Sequence, residues 1–233
     1  LNIIKSFTDS GVDIIDIGAE STRPKSLYEN VVEISEDQEI NRVSFLIEKL
    51  RKISDVPISI DTRKSKVASE AVRAGANIIN DISMLNYDPK MIEVVKSADI
   101  PYILTHNKPL KNNDSVADQV KIDLVEKIDF LNANGIKNNK IIIDPGFGFN
   151  KSIDQNVELH RNLDQISEIG LPVLVGTSRK SFLGKIADNA SVSDREEVSM
   201  ASVIVSKEKG AKLFRVHDAV AVKNLLNFIE KLS

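Results

Sequence analysis

Short runs of aliphatic and β-branched residues alternate along this chain with longer stretches whose apolar positions recur every three or four residues. The runs predict strands at 12–18 (VDIIDIG), 57–61, 77–81, 101–105, 140–144, 172–176 and 212–216. Each is apolar almost throughout, as in a strand buried on both faces. Between them the spacing predicts helices, for example through Ile40, Val43, Ile47 and Leu50, or through Val120, Leu124, Ile128 and Leu131. A helix-like segment at 2–10 precedes the first run. The alternation implies an α/β fold with a parallel sheet, and the count of seven strands and eight helical segments favours a TIM (β/α)8 barrel. Because a helix comes first, the arithmetic places one further strand ahead of Leu1. No linker or low-complexity tract breaks the rhythm, so residues 1–233 read as a single barrel domain.

Composition narrows the partners. With 42% hydrophobic and 28% charged residues the chain has material for a core and an ordinary polar surface. A net charge of -3 offers no broad basic field for nucleic acid or anionic lipid, so small-molecule ligands are expected. The absence of cysteine removes disulfides, thiolate catalysis and cysteine-bound zinc, and it fits a cytoplasmic setting. No apolar run is long enough to span a membrane.

In a parallel barrel the strand C-termini share one rim, and polar residues there converge. This chain places Asp16, Asp61, Asn80, Asp81, His106, Asp144, Lys180, Arg215 and His217 at or just past strand ends. One such residue could simply cap a helix; so many together point to a polar ligand, because unpaired buried ions cost several kcal/mol each, roughly. Arg215 and His217 are two apart on a strand, face one side, and can grip an anion where barrels often bind phosphate. The bland alternative is a surface pair of Arg215 with Asp218. The DPGFGF loop at 144–149 lets backbone approach a ligand, and STRP at 21–24 suits a carboxylate or phosphate. His106, His160 and His217 do not form a metal triad, and His160, within a helical stretch, reads as a surface residue. SRK at 178–180 lacks the GxSxG elbow of a serine nucleophile.

The blocks DIIDIGAESTRP, ISIDTRKS, GANIINDIS, IIIDPGFGFNKS, LPVLVGTSRKSFLG and FRVHD, in this order over nearly the whole chain, resemble the successive signatures of dihydropteroate synthases. The resemblance implies a pterin-binding barrel, a homodimer, magnesium, and the joining of a pterin pyrophosphate to p-aminobenzoate with release of pyrophosphate. It implies that Asp61, Asn80, Asp144 and Lys180 bind the pterin, with Asp61 and Lys180 serving catalysis. Thr22, Arg215 and His217 would hold the pyrophosphate, and Arg23, Pro24, Phe149 and Ser181 would shape the p-aminobenzoate site, where sulfonamides would compete. The family's magnesium-associated Asn would precede Leu1, so no metal ligand is assigned. The chain departs from the family at Thr105, where a Met is usual, at Ala19, where Gly is common, and at Phe147, more often aliphatic.

Three other readings use the same residues. A methyltetrahydrofolate-dependent methyltransferase would reuse Asp61, Asn80 and Asp144 but has no need of the pyrophosphate grip of Arg215, His217, Lys180 and STRP. A noncatalytic pterin-binding relative would keep the pocket without turnover. A sugar-phosphate aldolase would need Lys180 at a strand end as a Schiff base, whereas it follows a Gly-Thr-Ser-Arg turn.

Overall fold

The structure is a computed structural model describing residues 11–20, 34–111, 115–187, 191 and 195–232. The segment expected to be helical at 2–10 and the STRP run lie outside the described residues. Each expected run contains a strand: β1 (Ile15–Ile17), β2 (Ile58–Asp61), β3 (Ile78–Asp81), β4 (Tyr102–Thr105), β5 (Ile141–Asp144), β6 (Leu174–Val175) and β7 (Leu213–Phe214). Three of the runs open on proline, which cannot donate to a ladder but can accept. The carbonyls of Pro57, Pro101 and Pro172 take the amides of Ile15, Ile79 and Ile143 at 2.9, 3.0 and 2.9 Å.

β1 to β5 pair in sequence order, all parallel, and β6 pairs with β7. A bridge between Ile143 and Val173 joins the two sheets. The result is the sequential parallel wall of a TIM barrel; among the described residues no ladder joins β7 to β1.

Around the wall run α1 (Glu36–Arg51), α2 (Ser65–Ala74), α3 (Met91–Ala98), α4 (Val116–Ala133), α5 (Ile153–Arg161), α6 (Leu163–Ser167), α7 (Ser181–Ile186), α8 (Glu196–Glu208) and α9 (Ala219–Leu232). Their starts are written locally. Ser35 and Ser152 each accept from the backbone three residues on, while Gln38 and Gln155 reach back, closing capping boxes on α1 and α5. Gly75, at φ 118, ends α2 in the left-handed conformation that a side chain would resist.

The register decides which side chains face the barrel axis, because partners in a parallel ladder share a face and successive residues alternate. Asp16 lies opposite Ser59, which is opposite Ile78; Asp61 is opposite Asn80, which is opposite Ile103; and Thr105 is opposite Asp144. This set looks inward. Its apolar members Ile78 and Ile103 pack with Leu174, Ile14, Ile142 and Leu213, all strand or strand-flanking residues, in a small inner core. The alternate set, with Ile58, Ile60, Ile79, Leu104, Ile141 and Ile143, packs outward against Val43, Ile47, Leu50, Leu124 and Leu131 of the helices. At roughly 1.5–3 kcal/mol per fully buried aliphatic side chain, the larger outer layer carries most of the hydrophobic stabilisation. That leaves the upper interior free for polar groups.

Candidate active site

Four carboxyl or amide groups and two cations meet at the inner mouth. Asp61 and Asn80 are register partners on β2 and β3, and Asp144 ends β5 one layer higher. Arg215, just past β7, reaches across the gap between β7 and β1: its Nε pairs with Asp16 Oδ2 at 3.0 Å and its Nη1 lies 4.0 Å from Asp144 Oδ2. Burial works against the Arg215 charge, but Asp16, Asp144 and Asp61 together raise its pKa. Nη2 of the same guanidinium is buried without a hydrogen-bond partner. Asp61 is pushed up to about 7, first by burial and then by the neighbouring Asp16, Asp81 and Glu39, with Arg215 pulling the other way. Asn80 is wholly buried, and neither its side-chain nitrogen nor its oxygen has a partner. An unsatisfied buried amide costs about 1–3 kcal/mol, so native folds rarely tolerate one without a use.

The loop after β5 supplies the opposite wall. Asp144 Oδ1 accepts from the Gly146 amide at 2.8 Å. Gly146 has φ 71, and a Cβ there would sit 1.9 Å from the His106 carbonyl oxygen, so only glycine lets the loop fold this closely. Lys180 donates to the Phe147 carbonyl. Its Nζ lies 4.8 Å from the Phe149 ring centroid, a cation–π contact. Burial lowers the Lys180 pKa to about 8, with Asp144 opposing and Arg215 reinforcing. Phe147 turns into the protein instead, stacked on Phe182 at 6.0 Å and edge-on to His160 at 5.5 Å, which accommodates an aromatic residue there.

His217 shares the rim with Arg215: its amide donates to Ser178 Oγ at 3.3 Å, and its Nδ1 lies 3.0 Å from the same oxygen. Ser181, exposed in the first turn of α7, directly follows Lys180. Thr22, Arg23 and Pro24 lie outside the described residues. Asp218 does not pair with Arg215; its Oδ1 accepts from the Ala221 amide at the start of α9.

Three expectations need correction. Asp81 ends β3 and His106 directly follows β4, but neither converges on the mouth, because each is one residue out of phase with an inward neighbour. Asp81 faces the helices and accepts from the Ser83 and Leu85 amides and the Tyr102 hydroxyl at 2.7, 3.0 and 2.9 Å. His106 is buried on the same outer side, its Nε2 3.0 Å from Asp123 Oδ2 on α4. Burial, aided by Lys151, lowers its pKa to about 4, so it is neutral at physiological pH. His160 is not a plain surface residue: half-buried, it bonds through Nε2 to the hydroxyls of Ser206 and Ser202 on α8, at 3.0 and 3.1 Å.

One residue escaped sequence reasoning altogether. Lys151 buries its ammonium group against His106 Nδ1 at 3.0 Å, the Gly146 carbonyl at 3.0 Å and the Phe149 carbonyl at 3.2 Å. Burial, with a push from Lys180, lowers its pKa to about 7 against the pull of Asp144 and Asp123. Its place right after the Gly-rich loop was the available signal. The mouth as a whole can accept several donors on Asp61, Asn80 and Asp144, donate from Asn80 and Lys180, and offer Arg215 to an anion.

The family model described as pterin binding enzyme matches residues 1–217. A dihydropteroate synthase of Clostridium beijerinckii is 43% identical over 218 residues, 93% of this chain and 79% of the relative. That of Bacillus subtilis is 39% identical over 228 residues, 98% of this chain and 78% of the relative. Among solved structures, the Xanthomonas albilineans dihydropteroate synthase with 4-aminobenzoic acid superposes with a TM-score of 0.91 at 35% identity, covering 98% of this chain and 82% of that one. The enzyme from the same organism in complex with 7,8-dihydropteroate gives 0.88 at 34% identity, with 98% and 82% covered.

Proposed function

This chain belongs to the pterin-binding enzyme family, among the dihydropteroate synthases, and from that premise we propose how its inward-facing groups divide the work. The reaction condenses 6-hydroxymethyl-7,8-dihydropterin pyrophosphate with p-aminobenzoate, giving 7,8-dihydropteroate and pyrophosphate in folate biosynthesis. The observation that carries the residue-level reading is the Asn80 amide, buried and unpaired beside Asp61 and near Asp144. A pterin edge brings amine and ring N–H donors next to acceptors, the complement of two carboxylates and an amide. Lys180 donates to the ring carbonyl and adjoining nitrogen.

Arg215 turns its unpartnered Nη2 to the pyrophosphate with His217, and the family resemblance assigns Thr22 to the same group. As the bond from the pterin methylene to the pyrophosphate oxygen breaks, negative charge grows on the leaving group and Arg215 stabilises it. The methylene becomes cationic through the ring, and an ionised Asp61 favours that charge. The aromatic amine then forms the new C–N bond and loses a proton; no protein nucleophile takes part. Phe149 provides the face against which p-aminobenzoate stacks, and Ser181, Arg23 and Pro24 complete its site, which sulfonamides would contest.

The resemblance also implies magnesium. Among the described residues no group of three or more His, Cys, Asp or Glu is placed to hold a metal ion, and no step here is routed through one. A homodimer in the cytoplasm completes the reading. Among the described residues no helix is long and apolar enough to cross a membrane.

The test is pyrophosphate release with both substrates and magnesium present. Release matched by dihydropteroate formation is expected. Pterin binding without release would make the chain a noncatalytic relative, and tight retention of methyltetrahydrofolate with no pyrophosphate chemistry would favour a methyltransferase.

A further inference from the structure

We infer that the Thr105 hydroxyl is a specificity-determining group for the pterin, bonding its polar edge between the positions of Asn80 and Asp144; this rests on the reading of the site given above. Thr105 is the last residue of β4 and is completely buried, yet its Oγ1 has no hydrogen-bond partner. The register fixes its direction: it lies opposite Asp144 on β5 and two residues beyond Ile103, which lies opposite Asn80 on β3. Parallel partners share a face and alternate residues return to it, so Thr105 stands on the inner wall with Asn80 and Asp144. Three unpaired polar atoms thus sit together on adjacent strands: both ends of the Asn80 amide and the Thr105 hydroxyl.

The neighbouring outward position makes the contrast plain. His106, next in sequence, has both ring nitrogens engaged. A threonine buried only for packing would cost less as valine, which has the same shape and no hydroxyl to desolvate. A hydroxyl kept on that wall, beside groups proposed to read one ring edge, is suited to an edge atom of the same heterocycle, because it can donate or accept. An apolar side chain there would offer the ring contact but no reading of that atom.

The experiment compares wild type with Thr105→Val and Thr105→Ser, using calorimetric binding of 6-hydroxymethylpterin and steady-state KM values for the pterin pyrophosphate and for p-aminobenzoate. Thr105→Val is expected to weaken pterin binding about tenfold, equivalent to 1.4 kcal/mol, and to raise the pterin KM in parallel. The p-aminobenzoate KM should stay where it is, and Thr105→Ser should restore most of the lost affinity. Thermal melting confirms that each variant folds; should valine fail to fold, Thr105→Ala against Thr105→Ser makes the same comparison. Undiminished pterin affinity in a folded variant lacking the hydroxyl overturns the inference while leaving the function intact. Failure of the wild type to bind the pterin at all would instead overturn the function on which it rests.

Discussion

Asn80 and Asp81 are neighbours on one strand, both polar and both wholly buried, and they serve opposite ends. Asp81 faces the helices with three donors directed at its carboxylate, and burial together with that carboxylate pushes the Tyr102 phenol well above its ordinary value. Asn80 faces the axis with nothing bonded to its side chain. Burial alone does not separate structural from functional polar residues; satisfaction does. A group whose valences are filled by the protein stabilises the fold, whereas one left open is a cost borne until a ligand arrives.

Truncating each side chain in turn separates the two roles. Asp81→Ala strands two amides and a phenol in the interior and should lower stability by about 3–5 kcal/mol, seen as a reduced urea midpoint. Asn80→Ala removes no protein–protein hydrogen bond and should cost about 1 kcal/mol or less, while pterin affinity falls at least tenfold. If Asn80→Ala proved as destabilising as Asp81→Ala, the division between the two faces would be wrong.

The same contrast shows how far the sequence could be read. Strand positions were legible because both faces are buried, so each strand is a compact apolar run bounded by polar residues. The family blocks then marked Asp61, Asn80, Asp144, Lys180 and Arg215. What misled was treating every polar residue at a strand end as converging on the mouth. The period of two already separates Asn80 from Asp81 and Thr105 from His106, once one member of each pair is known to face inward. His160 was illegible for a different reason: its partners Ser202 and Ser206 are some forty residues away on α8, and helical periodicity carries no information about them. Lys151 gave no signal of its own, because lysine usually lies at the surface.

Lys151 links the two faces. It joins the outward His106 to the carbonyls of the loop that presents Phe149 and Asp144 to the mouth. Replacing it with methionine keeps the stem but leaves one ring nitrogen and two carbonyls without their donor, a loss of about 1–3 kcal/mol. Because the loop carries Phe149, the p-aminobenzoate KM should rise several-fold while pterin affinity changes little. A variant less stable but kinetically unaltered would make Lys151 a purely outer-face residue.

The effect at Asp61 is a dependence on pH, and its sign is fixed by linkage. Burial among Asp16, Asp81 and Glu39 raises its pKa from 3.8 to about 7. Between those values the folded chain holds a proton that the unfolded chain has released, so the contribution to stability is complete below 3.8 and is lost as pH rises through about 7. Asp61→Asn, uncharged at every pH, should remove this dependence, so urea midpoints of the variant and the wild type should diverge in the variant's favour from about pH 4 to about pH 7, the window that the shift defines, and stay apart above it. A pterin that donates to the carboxylate needs it ionised, so binding should release a proton and strengthen as pH climbs through the same window. Calorimetry in buffers of different ionisation enthalpy measures that proton directly. Binding that took up a proton, or ignored pH, would mean that the ligand meets Asp61 as a neutral acid and that the carboxylate does not favour a cationic ring.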